Sequence, residues 1–440
     1  MSIITEEIIL NALRGIIDPD FNKDIVSLGF VKNIKINGKE ISFDIELTTP
    51  ACPVKDEFKR QAEQAVKAIA GIEKVSIQMT SQKRQQPAGA STNSTLNNVR
   101  SIIAVSSCKG GVGKSTIAAQ LSQELANRGF KVGLVDVDIH GPSIPALFNL
   151  KNVKIHSNEN RQLIPVTKNN LKIMSFGFLL GDAPAVMRGP IVSQYVQQIL
   201  HNTAWGDLDY LFIDMPPGTG DIQLTVTQTV QLNGAVIVTT PQTLSLIDVA
   251  RGILMFEKVN VPILGLIENM SYFECNDCHK KHHILGRSPG QSLNDRFGID
   301  LLVELPFLQQ MILPVENPES IDLIQQAVDK VIMSLGKSTI MKSQVPEIQS
   351  DHNHVLLKWK DGEQLSVSNR ELRLSCECAL CTNEMTGERI LNETDIKGDI
   401  APTSITPLGN YAIGITWNDG HSSGIYPYKN IRKLSEAVRK

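Results

Sequence analysis

No run of apolar residues in this 440-residue chain approaches the ~20 that a bilayer-spanning helix needs, so no membrane partner is expected. The amino terminus has no basic stretch leading into an apolar core and a small-residue cleavage site. Thr5-Glu6-Glu7 runs directly into a helical pattern instead, and a cytoplasmic location is expected. An excess of one charge is missing as well. The 43 Lys and Arg stand against 46 Asp and Glu, a formal net charge of −3, which removes the global electrostatic reason to expect a nucleic-acid partner. With 42% hydrophobic and 20% charged residues, a disordered chain or a coiled coil is excluded. Disulfide spacing is absent too: Cys52 and Cys108 stand alone, Cys275 and Cys278 form a C-x-x-C, and Cys376, Cys378 and Cys381 form a C-x-C-x-x-C. Tight clusters in a long, apparently cytosolic chain point to metals.

At roughly 150 residues per domain, the length implies two or three domains. Residues 81–98 and 336–352 are poor in large apolar side chains and read as linkers, which leaves segments 1–80, 99–335 and 353–440. The first reads α-β-β-α-β. Ile9, Leu10, Leu13 and Ile17 recur at helical spacing, and Asn37-Gly38 joins two strands whose second alternates Ile41, Phe43, Ile45 and Leu47. Val54 to Ile69 is a helical stripe, and Val75, Ile77 and Met79 form a last strand. The middle segment alternates β and α, with near-continuous apolar strands at Ile102–Val105, Val132–Val135, Leu211–Ile213, Ala235–Val238 and Ile263–Ile267. Such runs suit parallel strands buried on both faces with helices between them. In the last segment, Val355–Trp359 turning at Lys360-Asp361-Gly362 and Tyr411–Trp417 turning at Asn418-Asp419-Gly420 read as hairpins. The expected fold is α/β: a central P-loop domain with a mostly parallel sheet and helices on both faces, flanked by a small α+β amino-terminal domain and a small β-rich carboxy-terminal one.

The P-loop expectation rests on Cys108-Lys109-Gly110-Gly111-Val112-Gly113-Lys114-Ser115-Thr116, which follows the first of these strands and precedes a helical stretch. Glycines let backbone N–H groups curl around phosphate oxygens, and the helix amino terminus favours negative charge. Lys114 is expected to reach the β- and γ-phosphates and the Ser115 hydroxyl to ligate Mg²⁺. Two acidic loops follow strand ends, where ligands bind in an open α/β sheet: Asp136-Val137-Asp138 and Asp214.

Cys108 occupies the position of the general motif's first glycine, and Lys109 adds a second lysine. The loop thereby resembles the deviant Walker A of ParA/MinD-class ATPases. The resemblance implies ATP as ligand, a nucleotide-sandwich homodimer in which Lys109 reaches the opposite subunit's nucleotide, Asp138 orienting the attacking water, and Asp214 holding Mg²⁺ through water. Asp136 could simply cap its strand. Asn269 resembles the adenine-reading asparagine of this class, with a structural asparagine as the alternative.

Glu268-Asn269-Met270-Ser271-Tyr272-Phe273-Glu274-Cys275-Asn276-Asp277-Cys278, together with the span 99–335, resembles the Mrp/ApbC family of iron–sulfur cluster carriers. Two thiolates cannot complete a four-coordinate soft-metal site, whereas a two-fold dimer supplies four. Spacing alone leaves open a zinc site made with two of His279, His282 and His283. The resemblance implies a [4Fe–4S] cluster shared at Cys275 and Cys278, with apo iron–sulfur clients and cluster donors as partners. The family's usual proline after the first cysteine is Asn276 here.

The amino-terminal segment resembles SufT and PaaD proteins through Asp18-Pro19-Asp20 and Thr48-Thr49-Pro50-Ala51-Cys52-Pro53. Cys52, expected at a helix start, is either a reactive or metal-ligating thiol or a merely packed one. The carboxy-terminal segment resembles the zinc-binding amino-terminal domain of γ-butyrobetaine hydroxylase-like proteins, which implies Zn²⁺ held by Cys376, Cys378, Cys381 and His421. The three-part layout looks like that of the chloroplast relatives of the bacterial carriers. The function expected is an ATP-dependent iron–sulfur carrier; the alternatives are a ParA/MinD-type positioning ATPase and a zinc-stabilised nucleotide-switch adaptor.

Overall fold

The computed structural model describes residues 4–19, 21–81, 94–151, 153–180, 189–218, 220–242, 245–275, 277–278, 280–286, 298–307, 318–341, 346–359, 362–376, 378, 380–382, 388–408 and 412–438. Asp20, Asn276, His279, Lys360, Asp361, Tyr411 and most of the first expected linker lie outside them. The chain divides into two compact units, Met1–Ser91 with Val328–Ile340, and Thr92–Ala327 with Met341–Lys440.

In the first unit, helix α1 (Glu6–Leu13) is capped by the Thr5 side chain, which accepts from the Ile8 N–H at 3.4 Å, and buries Ile9 and Leu13. The helical stripe expected through Ile17 ends earlier. Past Arg14 and Gly15, Ile17 falls in the short strand β1 (Ile17–Asp18), paired with β2 (Lys23–Asp24), where its side chain is exposed. Glycine weakens helix continuation and Pro19 forbids it. Strands β3 (Val31–Asn37) and β4 (Glu40–Leu47) form the expected hairpin, with Gly38 at φ +63° in the turn. Helix α2 (Lys55–Lys67) then crosses over to β5 (Lys74–Ser81), which runs parallel to β4. Ile41, Phe43 and Ile45 of β4 meet Phe58, Ala62 and Val66 of α2 in one core.

The second unit is built on a nine-stranded sheet. Its strands are β6 (Val99–Ser106), β7 (Val132–Asp136), β8 (Val166–Lys168), β9 (Leu171–Ser175), β10 (Leu208–Asp214), β11 (Gly234–Thr239), β12 (Ile263–Glu274), β13 (Lys281–His282) and β14 (Leu301–Pro306). They lie in the order β13-β12-β11-β6-β10-β7-β9-β8, with β14 also on β12; the β8–β9 and β12–β13 pairings are antiparallel and the rest parallel. The central strands are buried almost throughout, Arg100 near the start of β6 being exposed and Asp209 near the start of β10 half-buried, which is why they read as continuous apolar runs. Helices α3 (Lys114–Asn127), α4 (Ile144–Leu147), α5 (Phe176–Leu180), α6 (Gly189–His201), α7 (Asp221–Thr229) and α8 (Ser245–Lys258) connect them. No described helix is long and apolar enough to cross a membrane.

Helix α9 (Pro318–Met341) runs through the start of the second expected linker, and strand β15 (Glu347–Ser350) lies in its later part. The reason is packing that composition does not reveal. Val328, Val331, Ile332 and Leu335 form a buried stripe, and Gly336 lies so close to Thr48 that an added Cβ would stand 2.6 Å from its hydroxyl oxygen.

β15 pairs with β16 (His354–Lys358), which pairs with β17 (Gln364–Ser368). After helix α10 (Asn369–Leu374) come β18 (Pro402–Leu408), β19 (Ala412–Trp417), β20 (Gly424–Pro427) and helix α11 (Tyr428–Val438), the three strands forming a second antiparallel sheet. Both expected hairpins are present, and Leu357, Trp359, Trp417 and Tyr426 share one core with the three clustered cysteines.

Candidate nucleotide and metal sites

The strand β6 ends at Ser106, and the glycine loop leads into α3, whose first residue is Lys114. Gly111 and Gly113 have φ of +79° and +84°, a region that side chains with a Cβ rarely adopt. At Gly113 an added Cβ would stand 2.3 Å from the Asn269 amide nitrogen. Gly113→Ala is therefore expected to cost roughly 1–3 kcal/mol of loop strain and to weaken nucleotide binding, which a thermal melt and an ADP titration would read out. The Cys108 thiol fills the space over Gly252 of α8, where a Cβ would come within 2.3 Å of its sulfur. Packing accounts for a cysteine where the general motif has glycine. Lys109 is exposed, its amine 3.4 Å from the Gln242 side-chain oxygen.

Lys114 is buried and ion-pairs with Asp214 at the end of β10. Its amine is also 4.0 Å from Asp138 and 3.3 Å from the Ser115 hydroxyl. Asp136, at the end of β7, organises the loop around them. It accepts from the backbone N–H groups of Asp138 (3.0 Å) and Ile144 (3.3 Å), and from the Ser175 hydroxyl (3.0 Å). It is thus the residue that aims Asp138, a role that strand position alone did not reveal. Burial and the neighbouring Asp214 charge push Asp136 up to about 8, and burial raises Asp214 although Lys114 opposes it. Three acidic groups surround one lysine, and the buried oxygens Asp138 Oδ1 and Asp214 Oδ2 have no hydrogen-bond partner among the described residues. A divalent cation with its water shell, beside the Ser115 hydroxyl, fits this surplus of acceptors.

Asn269 lies beneath the loop, and its side-chain amide donates to the Val112 carbonyl at 2.9 Å. In this arrangement the asparagine braces the P-loop backbone. The next residue, Met270, adopts φ +57°, and the β12–β14 register shifts between Glu268 and Tyr272. The buried Glu268 carboxylate accepts the Ser271 hydroxyl at 2.7 Å across this bulge. The Glu-Asn-Met-Ser sequence therefore encodes a kink that a plain strand could not hold.

Beyond the kink, β12 continues to Glu274 and turns back into β13, so that Cys275 and Cys278 sit at the turn. Cys275 N–H donates to the Lys280 carbonyl at 3.1 Å. Backbone N–H groups of Cys278 and Asp277, followed by the Cys278 side chain, hold the Cys275 thiol below its ordinary pKa. Cys278 is exposed. His282 is exposed, and His283 folds back with its ring nitrogen 3.1 Å from the Ser271 carbonyl and its ring edge-on to Tyr272. Among the described residues, neither histidine joins the cysteine pair in a four-ligand group.

The carboxy-terminal cluster is assembled. Cys376, Cys378, Cys381 and His421 offer ligand atoms that all lie within 4.8 Å of one another, the His421 Nε2 being 3.3, 3.6 and 4.0 Å from the three sulfurs in turn. The set follows α10 on one side and lies on the turn after β19 on the other, with Gly420 at φ +90°. The hydrogen bond with Cys378, then burial, raises Cys376, while the Cys376 hydrogen bond pulls Cys378 down to about 4. Packed this closely, three thiols do not all ionise unless a cation is among them. Tetrahedral sulfurs about 2.3 Å from one ion lie about 3.8 Å apart, so a group whose ligand atoms are all within 4.8 Å of one another is close to the size of a mononuclear site. Zn²⁺ fits this buried Cys₃His set. Cys52, three residues before α2, is half-buried against the amino-terminal core. Sequence reasoning overlooked Arg373, Asp419 and Ser423, which hydrogen-bond to the carboxy-terminal ligands or the turn that holds them; of these only Asp419, in an Asn-Asp-Gly turn, had a local signal.

A glycine loop between a buried parallel strand and a helix, its lysine set between carboxylates at the ends of β10 and β7, defines a P-loop nucleoside triphosphatase. The family described as NUBPL iron-transfer P-loop NTPase matches residues 98–339, and the chain belongs to it. Residues 6–79 match the family described as iron-sulfur cluster assembly protein, and 347–432 the γ-butyrobetaine hydroxylase-like amino-terminal family. The chain is 40% identical over 448 residues to the Fe-S cluster assembly factor HCF101, chloroplastic, of Arabidopsis thaliana, covering 99% of this chain and 84% of that protein. It is 42% identical over 308 residues to the iron-sulfur cluster carrier protein of Synechocystis, covering 69% of this chain and 87% of that one. The nucleotide-binding protein of Archaeoglobus fulgidus, solved in complex with ADP, matches with a TM-score of 0.44 at 38% identity over 54% of this chain and 90% of that one.

Proposed function

We propose that the chain is an ATP-hydrolysing carrier whose cargo, a [4Fe–4S] cluster, is held between Cys275 and Cys278 of two copies and delivered to apoproteins. The observation that most supports this is the continuity of β12, which braces the P-loop through Asn269 and leads, beyond the Met270 kink, to Cys275. One strand links the phosphate-binding loop to a thiol pair of which Cys275 is half-buried and Cys278 exposed. Cys275, held toward its thiolate, and the exposed Cys278 supply half of a four-thiolate set, and a second copy supplies the rest.

In this reading Lys114 leaves its carboxylates for the β- and γ-phosphates of ATP, and Lys109 reaches the nucleotide of the other copy. Ser115 and Asp214 hold Mg²⁺, which when bound neutralises charge on the phosphates. Asp138, aimed by Asp136, orients the water. Asp138→Ala is expected to keep nucleotide affinity and to lower turnover roughly 10²-fold or more, because only positioning of the water is lost. Steady-state ATPase assays alongside ADP titration check this, and parent turnover would remove Asp138 from the role. The carboxy-terminal cysteines and His421 hold Zn²⁺ as a structural ion, and residues 1–80, 99–335 and 353–440 act as the three functional segments. Partners are apo iron–sulfur clients and cluster donors.

The test is transfer. Protein reconstituted anaerobically is mixed with an apo form of a [4Fe–4S] enzyme, with and without MgATP, and recovery of that enzyme's activity is followed. Recovery in excess of that given by free iron and sulfide is expected. A cluster that never leaves the protein contradicts the carrier reading.

A further inference from the structure

Arg373, near the end of α10, is only 5% exposed. A guanidinium does not shed its charge, so its burial requires partners. It has two. Its Nε donates to Asp419 Oδ2 at 2.8 Å and its Nη1 to Cys381 Sγ at 3.3 Å. The other Asp419 oxygen accepts the His421 N–H at 2.9 Å. One side chain therefore ties the cysteine loop to the turn that carries the histidine, although they are far apart in sequence. Ser423, by contrast, gives Cys378 a neutral donor, its hydroxyl 3.3 Å from the sulfur.

Charge adds to the geometry. Three thiolates and a neutral imidazole around a divalent ion leave a surplus negative charge in a pocket whose cysteines are 1%, 9% and 1% exposed. The guanidinium N–H aimed at Cys381 places a cation beside that surplus. Asp419, its side chain 15% exposed, anchors the other edge of the guanidinium toward solvent. A charged donor on a metal thiolate strengthens its hold on the ion and lowers its nucleophilicity.

We propose that Arg373 is the positioning residue of the carboxy-terminal metal site: it holds the cysteine loop and the His421 turn in register and shields Cys381 as the least reactive of the three thiolates. This rests on reading Cys376, Cys378, Cys381 and His421 as a zinc site.

The test uses the full chain carrying Cys275→Ala and Cys278→Ala, so that the hairpin pair takes no metal. Zinc affinity is measured by chelator competition, and the order in which iodoacetamide modifies the cysteines is read by mass spectrometry. Arg373→Met is expected to weaken zinc about 10–100-fold and to bring Cys381 from last to first in the order. Arg373→Lys, which keeps the charge without the fork, recovers part of the affinity. Parent affinity in Arg373→Met overturns the proposal. So does a uniform acceleration of all three cysteines, which is what mere loosening produces. Asp419→Asn guards against misfolding of the arginine variants: it keeps the Cys381 contact, so its loss of affinity is expected to be smaller and Cys381 to remain last. A Cys381 that becomes first in Asp419→Asn overturns the assignment to Arg373. A parent chain that binds no zinc contradicts the metal reading itself, before any substitution is compared.

Discussion

Chains carrying Cys275→Ala or Cys278→Ala are expected to emerge from anaerobic reconstitution without the broad iron–sulfur absorption, while binding ATP as the parent does. The expected effect is complete because each copy contributes only two sulfurs. Loss of one leaves the shared site two thiolates short across the dimer, and among the described residues neither His282 nor His283 joins the pair in a ligand group. His283 is engaged with Ser271 and Tyr272. The P-loop contact of Asn269 lies on the near side of the Met270 kink, so the nucleotide site retains its brace when the hairpin thiols are changed. The carboxy-terminal set is an internal control: Cys376→Ala is expected to lose zinc and keep the cluster. Full cluster content in a Cys275→Ala/Cys278→Ala chain would place the cargo elsewhere, with Cys52 the first residue to examine.

The second large effect is expected of Lys114→Ala. This lysine is the cation against which Asp214 and Asp138 rest, and burial already raises Asp214. Its removal leaves buried acids without a countercharge, so a proton is taken up in its place and the pocket no longer attracts the phosphates. ATP hydrolysis should fall by about 10³-fold, the scale of losing a charged donor to a developing oxyanion. Phosphate release at saturating MgATP checks this. Hydrolysis within tenfold of the parent would show that another cation, Lys109 being the nearest in sequence, carries the γ-phosphate.

Much of the nucleotide site was legible because its chemistry is local. Strand, glycine loop, lysine and helix follow one another within twenty residues, and the buried parallel strands announce themselves as apolar runs. The hairpin at Asn37-Gly38 was legible for the same reason. What escaped was encoded by contacts distant in sequence. Composition does not show that Gly336 meets Thr48, so a stretch of helix reads as linker. The helix expected through Ile17 stopped at Leu13 because periodicity does not register the two breakers that follow. Asp136 could be read as no more than a strand cap because its three hydrogen-bond donors come from Asp138, the start of α4 and the end of β9. For Asn269 the motif leaves both a base-reading and a structural role open, and its hydrogen bond to the Val112 carbonyl, between residues 157 positions apart, is a contact no local pattern shows. Arg373 precedes the first cysteine of its cluster by three residues, yet nothing in that spacing says that its guanidinium turns inward.

The central claim is that one cluster is shared by two chains. Iron, acid-labile sulfide and protein measured on the same reconstituted sample, with its mass in solution, test that claim most directly. A shared [4Fe–4S] cluster predicts about two irons and two sulfides per chain in a species of twice the chain mass, dropping to monomer when the cluster is chelated away. About four irons per chain in a species of single-chain mass would contradict it.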